Sequence, residues 1–524
     1  MRAEYPPQIG FETHYGRVLR CFSVRPSSLA ASLAAAAARS GGAEALVDGA
    51  RRLTYRQFAD QVASVAAGLD DLGVKHGDRV ALLLANRLEF PVLLYACAVV
   101  GAIAVPMNLR QSADETAFAL NQSGAVALFH EADARLPCEA EAPKLHVRIC
   151  VDDMASLPTG AARTFPDVDE DAPFCILYTS GTTGRPKGAV LTHFNVLQSA
   201  LHFRHHYALE DGERSVLAVP ASHVTGLVAL IAVSVEVAGC LVLMRRFEAG
   251  RFLEIAAAER MTYTLIVPAM VTLALMHPAF DGAALRHWRV CGFGGAPMPD
   301  ATIAELAERL PGLALHNTYG ATETASPAVI MPASEAAARS RQLGLPVLTC
   351  NILVMDQQGR ALPPGEQGEI WISGPMVIPG YWDNPEATAA AFTGSYWKSG
   401  DLGSIDADGF VSLHDRIKDM INRGGFKIYS VEVENVLCEL PEVIEAAIVG
   451  KPCPVLGERV VAFLHLDPAV PPIDEDTLRA HCAARLSDYK VPETYLIEPS
   501  PLPRNANGKL VKTALRARLA AAAA

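Results

Sequence analysis

A stretch rich in glycine, hydroxyl and basic residues has the composition of a phosphate-binding loop. It covers residues 178–188 and reads YTSGTTGRPKG. Glycines let backbone N–H groups approach an anion, and Arg185 and Lys187 add positive charge. The apolar residues 174–178 predict a buried strand that leads into this loop. The candidate phosphate ligands are Thr179, Ser180, Gly181, Thr182, Thr183, Gly184 and Lys187.

The P-loop of NTPases is a different motif. It requires Gly-x-x-x-x-Gly-Lys-Ser/Thr, and counting from Gly181 places Pro186 where the second glycine should stand. A flexible surface linker is also rich in Gly, Ser, Thr and Pro. The loop alone leaves a phosphate site and a linker both open, so the other motifs of the chain must decide.

Length and charge narrow the class of protein. A chain of 524 residues exceeds one compact core, which predicts at least two domains. The formal net charge of −12 argues against a general nucleic-acid-binding protein, so bound phosphates must be held by local groups. Eleven cysteines without a Cys-x-x-Cys pair or a zinc-like cluster are typical of reduced thiols and predict a cytoplasmic location.

Two apolar stretches are long enough to be tested as membrane spans. Residues 90–107 are interrupted by proline and glycine, and residues 226–244 contain Glu236. Each stretch predicts a buried helix followed by a strand, and no transmembrane segment is expected. The alanine-rich residues 29–38 predict a helix of the first domain, because they lie too far from the N-terminus for a signal peptide.

Alternating strand and helix patterns predict an α/β architecture. Thr54 opens a T-x-x-Q capping box, and the apolar residues Phe58, Val62, Val65 and Leu69 follow at helical spacing. Strands are predicted at 79–85, 102–106, 216–219, 265–268, 290–295 and 313–319. A helix is predicted from about residue 89, between the first two of these strands. This alternation predicts largely parallel sheets.

The pattern of predicted elements changes after Asn351. Short strands at 352–356, 369–373 and 410–414, separated by glycine and proline, predict a small β-rich subdomain. Beyond Lys418 an α+β pattern predicts helices at 431–440 and 477–486, strands at 446–449 and 460–466, and a basic tail. The predicted domains are therefore residues 1–417 and residues 418–524.

Five further motifs accompany the glycine-rich loop. They are GGAP at 294–297, NTYGATE at 317–323, SGDL at 399–402, DRIKD at 415–419 and PRNANGK at 503–509. Together with the loop they resemble, over nearly the whole chain, the adenylate-forming family of acyl-CoA synthetases, nonribosomal-peptide adenylation domains and beetle luciferases. Acyl-CoA synthetases are the most similar. The resemblance implies a large N-terminal α/β domain with a β-rich subdomain and a smaller, mobile α+β C-terminal domain.

The same resemblance implies a reaction in two steps. A carboxylate attacks the α-phosphorus of ATP, expels pyrophosphate and becomes an acyl-adenylate, and the thiol of CoA then takes the acyl group. Charge develops on the pyrophosphate, and Mg²⁺, cationic side chains and backbone dipoles stabilise it. The implied cofactors are ATP, Mg²⁺ and coenzyme A, and the implied partner is a small carboxylic acid. A homodimer is compatible with the sequence.

Roles in nucleotide binding are carried over from the family onto matching residues. Glu323 is expected to bind Mg²⁺, which prefers hard carboxylate oxygens, and Thr322 to bind phosphate. Tyr319 is expected to contact the adenine. Asp401 is expected to accept hydrogen bonds from both ribose hydroxyls, and Arg416 to support the sugar or the α-phosphate. Close backbone approach to the nucleotide is expected at Gly295, Ala296, Pro297 and Gly320.

The predicted C-terminal domain supplies the remaining roles. Lys509 is expected to bridge the acyl carboxylate and the α-phosphate during adenylation. Lys418 is expected to be the hinge about which the domain rotates before the second step. That rotation would present the loop containing Gly424 and Gly425 to the pantetheine of CoA. Arg423 departs from the sequence that the family commonly has in this loop. This difference weakens any detailed assignment of CoA contacts.

The acid substrate is less sharply defined by the sequence. His223 stands where relatives carry a gate beside the acyl group, and a half-buried structural histidine is an equal alternative. Candidate lining residues of the acyl pocket are Phe293 and the small residues Gly292, Ala321 and Ala325. No aspartate that would hold an α-ammonium group is visible in this region, which favours an uncharged carboxylic acid. The group His202, His205 and His206 lacks nearby acidic or cysteine partners and is predicted to lie on a helix.

Two alternative functions remain open on the sequence. A stand-alone adenylation enzyme would load the pantetheine of a carrier protein instead of CoA. A non-catalytic nucleotide sensor would keep the fold without turnover, and loss of Glu323 or Lys509 would be its expected signature. Both residues are present.

Overall fold

The computed structural model describes residues 7–138, 141–179, 186–296, 298–468, 470–471, 473–505 and 510–521. The chain divides into two compact units. The first comprises Met1–Ile352, Trp371–Lys398 and Gly409–Val411, and the second comprises Leu353–Ile370, Ser399–Asp408 and Ser412–Ala524. The predicted functional boundary between residues 417 and 418 stays a prediction.

Strands and helices alternate through most of the first unit. Its N-terminal part contains β1 (Ile9–His14), β2 (Arg17–Phe22), α1 (Leu29–Ser40), β3 (Glu44–Asp48), β4 (Arg51–Thr54), α2 (Tyr55–Asp71), β5 (Arg79–Leu83), α3 (Glu89–Val100), β6 (Ile103–Met107), α4 (Ala113–Ser123), β7 (Ala127–His130) and β8 (Val147–Cys150).

The next part continues the alternation. It contains β9 (Pro173–Thr179), β10 (Lys187–Thr192), α5 (His193–His206), β11 (Arg214–Leu217), a π-helix (Thr225–Ala232), α6 (Val233–Glu236), β12 (Cys240–Leu243), α7 (Ala249–Ala258), β13 (Tyr263–Ile266), α8 (Pro268–Met276), β14 (Val290–Phe293), α9 (Asp300–Arg309), β15 (Ala314–Tyr319), β16 (Val329–Ile330) and β17 (Leu345–Pro346).

Shorter elements complete the chain. They are β18 (Asn351–Met355), β19 (Gly368–Ser373), α10 (Pro385–Ala391), β20 (Phe392–Thr393), β21 (Tyr396–Ile405), β22 (Val411–Arg416), β23 (Ile421–Arg423), β24 (Phe426–Ile428), α11 (Ser430–Leu437), β25 (Val443–Cys453), β26 (Gly457–Leu466), α12 (Glu475–Ala483), β27 (Thr494–Glu498) and α13 (Lys512–Ala521).

Two large sheets confirm the predicted α/β architecture. One has the order β10-β9-β6-β5-β7-β8, and its pairs are parallel except for β10 with β9. The other has the order β17-β16-β15-β14-β13-β11-β12-β3-β4, with a parallel centre and antiparallel strands at both ends. The helices bury apolar side chains between and around the sheets.

Local signals placed several elements correctly. The capping box of Thr54 and Gln57 opens α2, and the predicted apolar face of that helix is buried. Helix α3 and strand β6 form as predicted from the first apolar stretch. The predicted strand at 265–268 lies two residues earlier, because Pro268 begins α8. No helix among the described residues has the length and apolarity of a transmembrane span.

Two smaller sheets follow in the chain. One has the order β18-β19-β21-β20, with β22 beside β21, and the other has the order β24-β23-β26-β25, with β27 beside β26. Alternate residues of β26 face opposite sides of the second sheet. Val460 and Leu464 belong to a cluster with α11 and α12, whereas Val461 and Phe463 belong to one with α13. The prediction of a basic tail was incomplete, because residues 512–521 form a helix.

Candidate active site

Strands β9 and β10 present the two ends of the glycine-rich loop. They pair antiparallel with Lys187 opposite Thr179, and the Thr179 hydroxyl lies 3.5 Å from the Lys187 carbonyl oxygen. Strand β9 precedes the loop, as predicted, and β10 follows it, so the two strands form a hairpin. The predicted ligands Ser180, Gly181, Thr182, Thr183 and Gly184 lie outside the described residues.

The GGAP and NTYGATE motifs follow adjacent parallel strands. Phe293 of β14 is opposite Asn317 of β15, so both motifs leave the sheet at its carboxyl end, where α/β proteins bind ligands. A Cβ on Gly294 would lie 2.2 Å from the backbone oxygen of Thr318. This glycine is thus required by the neighbouring strand. Gly295 has φ +81° and is exposed with Ala296, while Pro297 lies outside the described residues.

A strained turn sets the position of Thr322 and Glu323. A Cβ on Gly320 would lie 1.4 Å from the Ser326 backbone oxygen, so only glycine fits there. Ser326 has φ +94°, which is a costly conformation for a residue other than glycine. The Thr324 hydroxyl is 3.0 Å from the Ser326 oxygen and helps to hold the turn.

The Glu323 side chain is buried against a tyrosine that the sequence analysis did not identify. Glu323 is 9% exposed, and its Oε1 accepts a hydrogen bond from the Tyr381 hydroxyl at 3.0 Å. Burial, followed by the nearby Glu323 charge, raises the pKa of Tyr381, so the hydroxyl stays protonated and acts as donor. The Nζ of Lys187 lies 5.2 Å from the centroid of the Tyr381 ring. The structure therefore brings Lys187, Tyr381 and Glu323 together.

Residues 375–382 hold Tyr381 in this position. The segment runs beside β10, where Tyr381 pairs with Ala189 in an antiparallel bridge. The Trp382 N–H donates to the Gly188 oxygen at 2.7 Å. From α5, the Asn195 amide donates to the Pro375 oxygen at 2.7 Å. The segment thus connects the glycine-rich hairpin with the turn that contains Glu323.

The surroundings of Glu323 fit a magnesium ligand. Mg²⁺ prefers carboxylate oxygens, and a neutral donor such as the Tyr381 hydroxyl does not cancel the charge of a carboxylate. One oxygen is thereby oriented, and no hydrogen bond to the second oxygen occurs among the described residues. The roles of Thr322 and Glu323 remain predictions that this arrangement supports.

Asp401 and Arg416, which were expected to serve the same ribose, contact each other. The Arg416 Nε lies 3.1 Å from Asp401 Oδ1, and Asp401 is 5% exposed whereas Arg416 is exposed. The Ser399 hydroxyl accepts from the Asp401 N–H at 3.0 Å. Gly400 between them has φ +71°, which a turn of this shape requires. The two side chains are positioned together, and their role in sugar binding stays a prediction.

The predicted hinge and CoA loop lie in the second unit. Lys418 is exposed just after β22. Gly424 and Gly425 have φ +60° and +90° in the tight turn between β23 and β24. Arg423 pairs with Glu493 at 2.9 Å, so one charge considered for the phosphates of CoA is engaged within the protein. Lys509 lies outside the described residues.

Polar contacts flank the segment that carries Lys509. Arg504 pairs with Leu510 through a backbone bridge. Lys512, at the start of α13, contacts Glu434 and Ser430, each at 2.6 Å. Burial raises the pKa of Glu434 even though the Lys512 charge opposes this shift. The residues on either side of the predicted catalytic lysine are therefore anchored.

His223 forms a hydrogen bond with a structural role. Its Nδ1 accepts from the Thr225 N–H at 3.2 Å, at the start of the π-helix. This hydrogen bond is consistent with the alternative that His223 is a structural histidine. Its role as a gate beside the acyl group stays a prediction. A Cβ on Gly292 would lie 2.2 Å from the Tyr207 hydroxyl, so the buried Tyr207 occupies the space beside this candidate pocket residue.

The histidine group lies on α5, as expected. His202 is fully buried, and its Nε2 lies 2.7 Å from the Thr349 hydroxyl. Burial lowers the pKa of His202 well below its ordinary value, which keeps the ring neutral. His202 therefore belongs to the core, whereas His205 is exposed.

A second polar group lies in the N-terminal hairpin. The ligand atoms of Glu12, His14 and Cys21 lie within 4.8 Å of one another. Arg25 contacts Glu12 at 2.6 Å and lowers the pKa of that carboxyl to about 2. Asp171 lies 2.7 Å from the His14 ring. These ion pairs explain the group as a structural network.

Family models match both parts of the chain. Residues 33–382 match the model of the AMP-binding enzyme, and residues 432–509 match that of the AMP-binding enzyme C-terminal domain. Among curated proteins, a feruloyl-CoA synthase from Amycolatopsis sp is 36% identical over 91% of this chain and 96% of its own length. The fatty acid–[acyl-carrier-protein] ligase ScoC from Streptomyces coeruleorubidus is 32% identical over 89% of this chain and 92% of its own length.

Solved structures agree with these relatives. The o-succinylbenzoate CoA synthetase MenE from Bacillus subtilis, in complex with the acyl-adenylate intermediate OSB-AMP, is similar with a TM-score of 0.83 and 30% identity, covering 93% of this chain and 97% of that chain. The complex of that enzyme with ATP and magnesium ion has the same TM-score and identity and covers 93% of this chain and 99% of that chain.

The folded chain has two large α/β sheets, and the carboxyl ends of β14 and β15 place the turn of Glu323 beside the glycine-rich hairpin. The comparisons extend over almost all of the chain, and they agree with the resemblance carried by its motifs. The chain therefore belongs to the AMP-binding enzyme family and is an enzyme of the acyl-CoA ligase family.

Proposed function

We propose that the enzyme forms its acyl-adenylate where the Glu323 turn meets the glycine-rich hairpin. The observation that carries this proposal is the contact series from Lys187 to the Tyr381 ring and from the Tyr381 hydroxyl to Glu323. It brings a cation from the predicted phosphate loop to the ring of one buried tyrosine and a carboxylate from the predicted metal site to the hydroxyl of the same residue. Such preorganised charges stabilise a leaving pyrophosphate without rearranging during the reaction.

Each proposed site residue has a distinct role in the adenylation step. Lys187, with the backbone and hydroxyls of the loop, binds the phosphates, and Thr322 adds a hydroxyl donor. Asp401 and Arg416 hold the ribose. Lys509 orients the acyl carboxylate toward the α-phosphate. Magnesium bound at Glu323 would neutralise charge on the phosphates.

The second step needs a different arrangement of the chain. Lys509 and an incoming thiol cannot occupy the same face of the adenylate, so we propose that residues 418–524 rotate about Lys418 between the steps. The tight turn at Gly424 and Gly425 then lines the path of the pantetheine. Free CoA is the proposed acceptor, and a carrier-protein pantetheine is the alternative. The relative ScoC is a fatty acid–[acyl-carrier-protein] ligase.

The acid is proposed to be uncharged and aromatic. The feruloyl-CoA synthase relative, at 36% identity, supports an aromatic acid. The Tyr207 hydroxyl beside Gly292 supports a short pocket, because it fills space that a long chain would need. We also keep the predictions of a cytoplasmic location and a homodimer. The eleven free cysteines are consistent with the location, and analytical ultracentrifugation tests the homodimer.

A panel of acids tests the proposed function directly. Purified protein is incubated with ATP, Mg²⁺ and short, long or aromatic acids, and pyrophosphate, AMP and ADP are measured with and without CoA. Pyrophosphate and AMP should appear, with hydroxycinnamic and benzoic acids among the best substrates. ADP as the nucleotide product would contradict the mechanism, and a preference for long-chain acids would contradict the proposed acid. Replacing CoA with a pantetheinylated carrier protein separates the two acceptors.

A further inference from the structure

We propose that Tyr381 is a positioning residue, which orients the Glu323 carboxylate and couples it to the glycine-rich hairpin. The inference rests on the proposed role of Glu323 as the magnesium ligand. It adds a residue to the site that neither the motifs nor the family comparison assigns. Three sets of contacts support this role, all within the first compact unit.

The first contact fixes the carboxylate. The Tyr381 hydroxyl donates to Glu323 Oε1 at 3.0 Å, and both side chains are buried. A lysine or arginine in that place would compete with a metal ion for the negative charge, whereas a hydroxyl orients one oxygen and leaves the carboxylate anionic. Without the hydroxyl, Glu323 is free to adopt other rotamers before the metal binds, and that lost preorganisation weakens binding.

The second set of contacts fixes the tyrosine to the hairpin. Tyr381 bridges to Ala189, the Val190 N–H donates to the Gly380 oxygen at 3.1 Å, and the Trp382 N–H donates to the Gly188 oxygen at 2.7 Å. These bonds continue the pairing of β10 immediately after Lys187. The Lys187 ammonium group then lies 5.2 Å from the Tyr381 ring centroid. The aromatic side chain is therefore held by the backbone that also carries the phosphate-loop lysine.

The third contact connects the same segment to the Glu323 backbone. The Ile378 N–H donates to the Glu323 carbonyl oxygen at 3.0 Å. Glu323 is consequently held at its backbone by residue 378 and at its carboxylate by residue 381. A displacement of the hairpin is transmitted to the metal ligand through one short segment. This arrangement fits a device that aligns the metal with the phosphates.

The variant Tyr381→Phe tests the hydroxyl while keeping the ring and its contact with Lys187. Binding of Mn²⁺–ATP, measured by electron paramagnetic resonance without an acid substrate, should weaken about tenfold, as for the loss of one hydrogen bond to a charged group. In pyrophosphate exchange, the Mg²⁺ concentration for half-maximal activity should rise by a similar factor, and saturating Mg²⁺ should restore most of the rate. A general packing defect would not be rescued by the metal.

Matched variants make the result decisive. Tyr55→Phe is the control, because it removes a buried hydroxyl that donates to the Ser234 and Gly239 oxygens at 2.9 and 2.7 Å. It should leave Mn²⁺–ATP binding unchanged. In the Glu323→Gln background, Tyr381→Phe should add less than about a twofold further loss, because the two residues act through one contact.

The outcomes separate this proposal from the proposed function. If Glu323→Gln weakens Mn²⁺–ATP binding but Tyr381→Phe binds like the Tyr55→Phe control, the positioning role is wrong and the metal role of Glu323 stands. If Glu323→Gln leaves metal binding unchanged, both assignments are wrong. Independent, additive losses in the double variant would also overturn the positioning role, since they would show that Tyr381 does not act through Glu323.

Discussion

Buried charge at Asp401 is balanced by an exposed arginine. The Asp401 carboxylate is 5% exposed, and Arg416 reaches it from the surface with Nε at 3.1 Å. The guanidinium therefore compensates the buried carboxylate, and the proposed roles of both residues in ribose binding depend on this pairing.

Lys509 is the residue whose loss should separate the two half-reactions. Lys509→Ala should reduce pyrophosphate exchange by about 10²–10³-fold, the scale of one lost preorganised electrostatic contact, because the acyl carboxylate loses its cation. Thioester formation from a supplied acyl-adenylate should change much less. Lys451→Ala, at an exposed lysine of β25, is the matched control. An unchanged exchange rate in Lys509→Ala would refute the assignment.

The sequence identified most of the proposed site but not Tyr381. Glycine, hydroxyl and charged residues in short motifs can be recognised in the sequence alone, and Glu323 and Lys187 lie in such motifs. Tyr381 contacts Glu323 because residues 375–382, which are distant from β10 in the sequence, pair with that strand. No local spacing encodes that pairing. The tight fit of Gly294 against Thr318 is equally a property of two adjacent strands.

At the scale of elements, α5 carries histidines that must stay neutral. The His193 and His206 rings each accept a backbone hydrogen bond, from the Leu29 and Leu348 N–H groups, both at 3.1 Å. A protonated imidazole has no acceptor, so protonation would break these bonds. Burial lowers the pKa of both side chains to about 4.

Acid should therefore destabilise the protein through this helix. The folded-state pKa values of His193 and His206 lie below the unfolded value of about 6.5, so the unfolded chain takes up protons first as the pH falls. Between about pH 6.5 and pH 4, the free energy of unfolding should decrease by up to about 1.4 kcal/mol per pH unit for each ring. Urea unfolding from pH 7 to pH 5 measures the slope, and His206→Gln should reduce it. An equal slope in that variant would contradict the explanation.

Helix α13 depends on a charge pair at its first residue. The side chains of Lys512 and Glu434 are 11% and 17% exposed, and the Ile448 N–H also donates to Glu434 at 2.8 Å. Lys512→Met should lower the free energy of unfolding by about 3 kcal/mol, because it leaves a buried carboxylate without its cation. Urea unfolding measures this loss, and adding Glu434→Gln to the same chain should recover part of it. Equal stability of Lys512→Met and the native protein would show that the pair is dispensable.

Elements with a local signal were predicted well, and those without one were missed. The capping box and apolar face defined α2, and the strand and helix alternation defined the parallel sheets. The sequence predicts a basic tail where α13 forms, because its charged residues obscure the buried Leu515 and Leu519 at helical spacing. The order of the strands in each sheet could not be predicted from the sequence either, because β5 pairs with β6 and β7 through contacts between separate segments of the chain.

At the scale of the whole molecule, the proposed rotation requires a backbone that can change shape at Lys418. Lys418→Pro should leave pyrophosphate exchange within about twofold of the native rate, because proline fixes φ near one value without removing a side chain of the adenylation site. Acyl-CoA formation should fall by about tenfold or more, since hinge changes act on the conformational step. Rapid-quench measurement of each half-reaction compares the two, with Lys418→Ala as control. Equal loss of both half-reactions would argue against a hinge.

The run of residues 375–382 along β10 also covers the edge of a sheet. β10 is the outermost strand of its sheet, and such a strand offers unpaired backbone groups to any other extended chain. The Val190 N–H and the Gly188 oxygen are already bonded to residues 380 and 382. The segment that positions Tyr381 therefore also blocks intermolecular β-pairing beside a glycine-rich loop, where aggregation could otherwise begin.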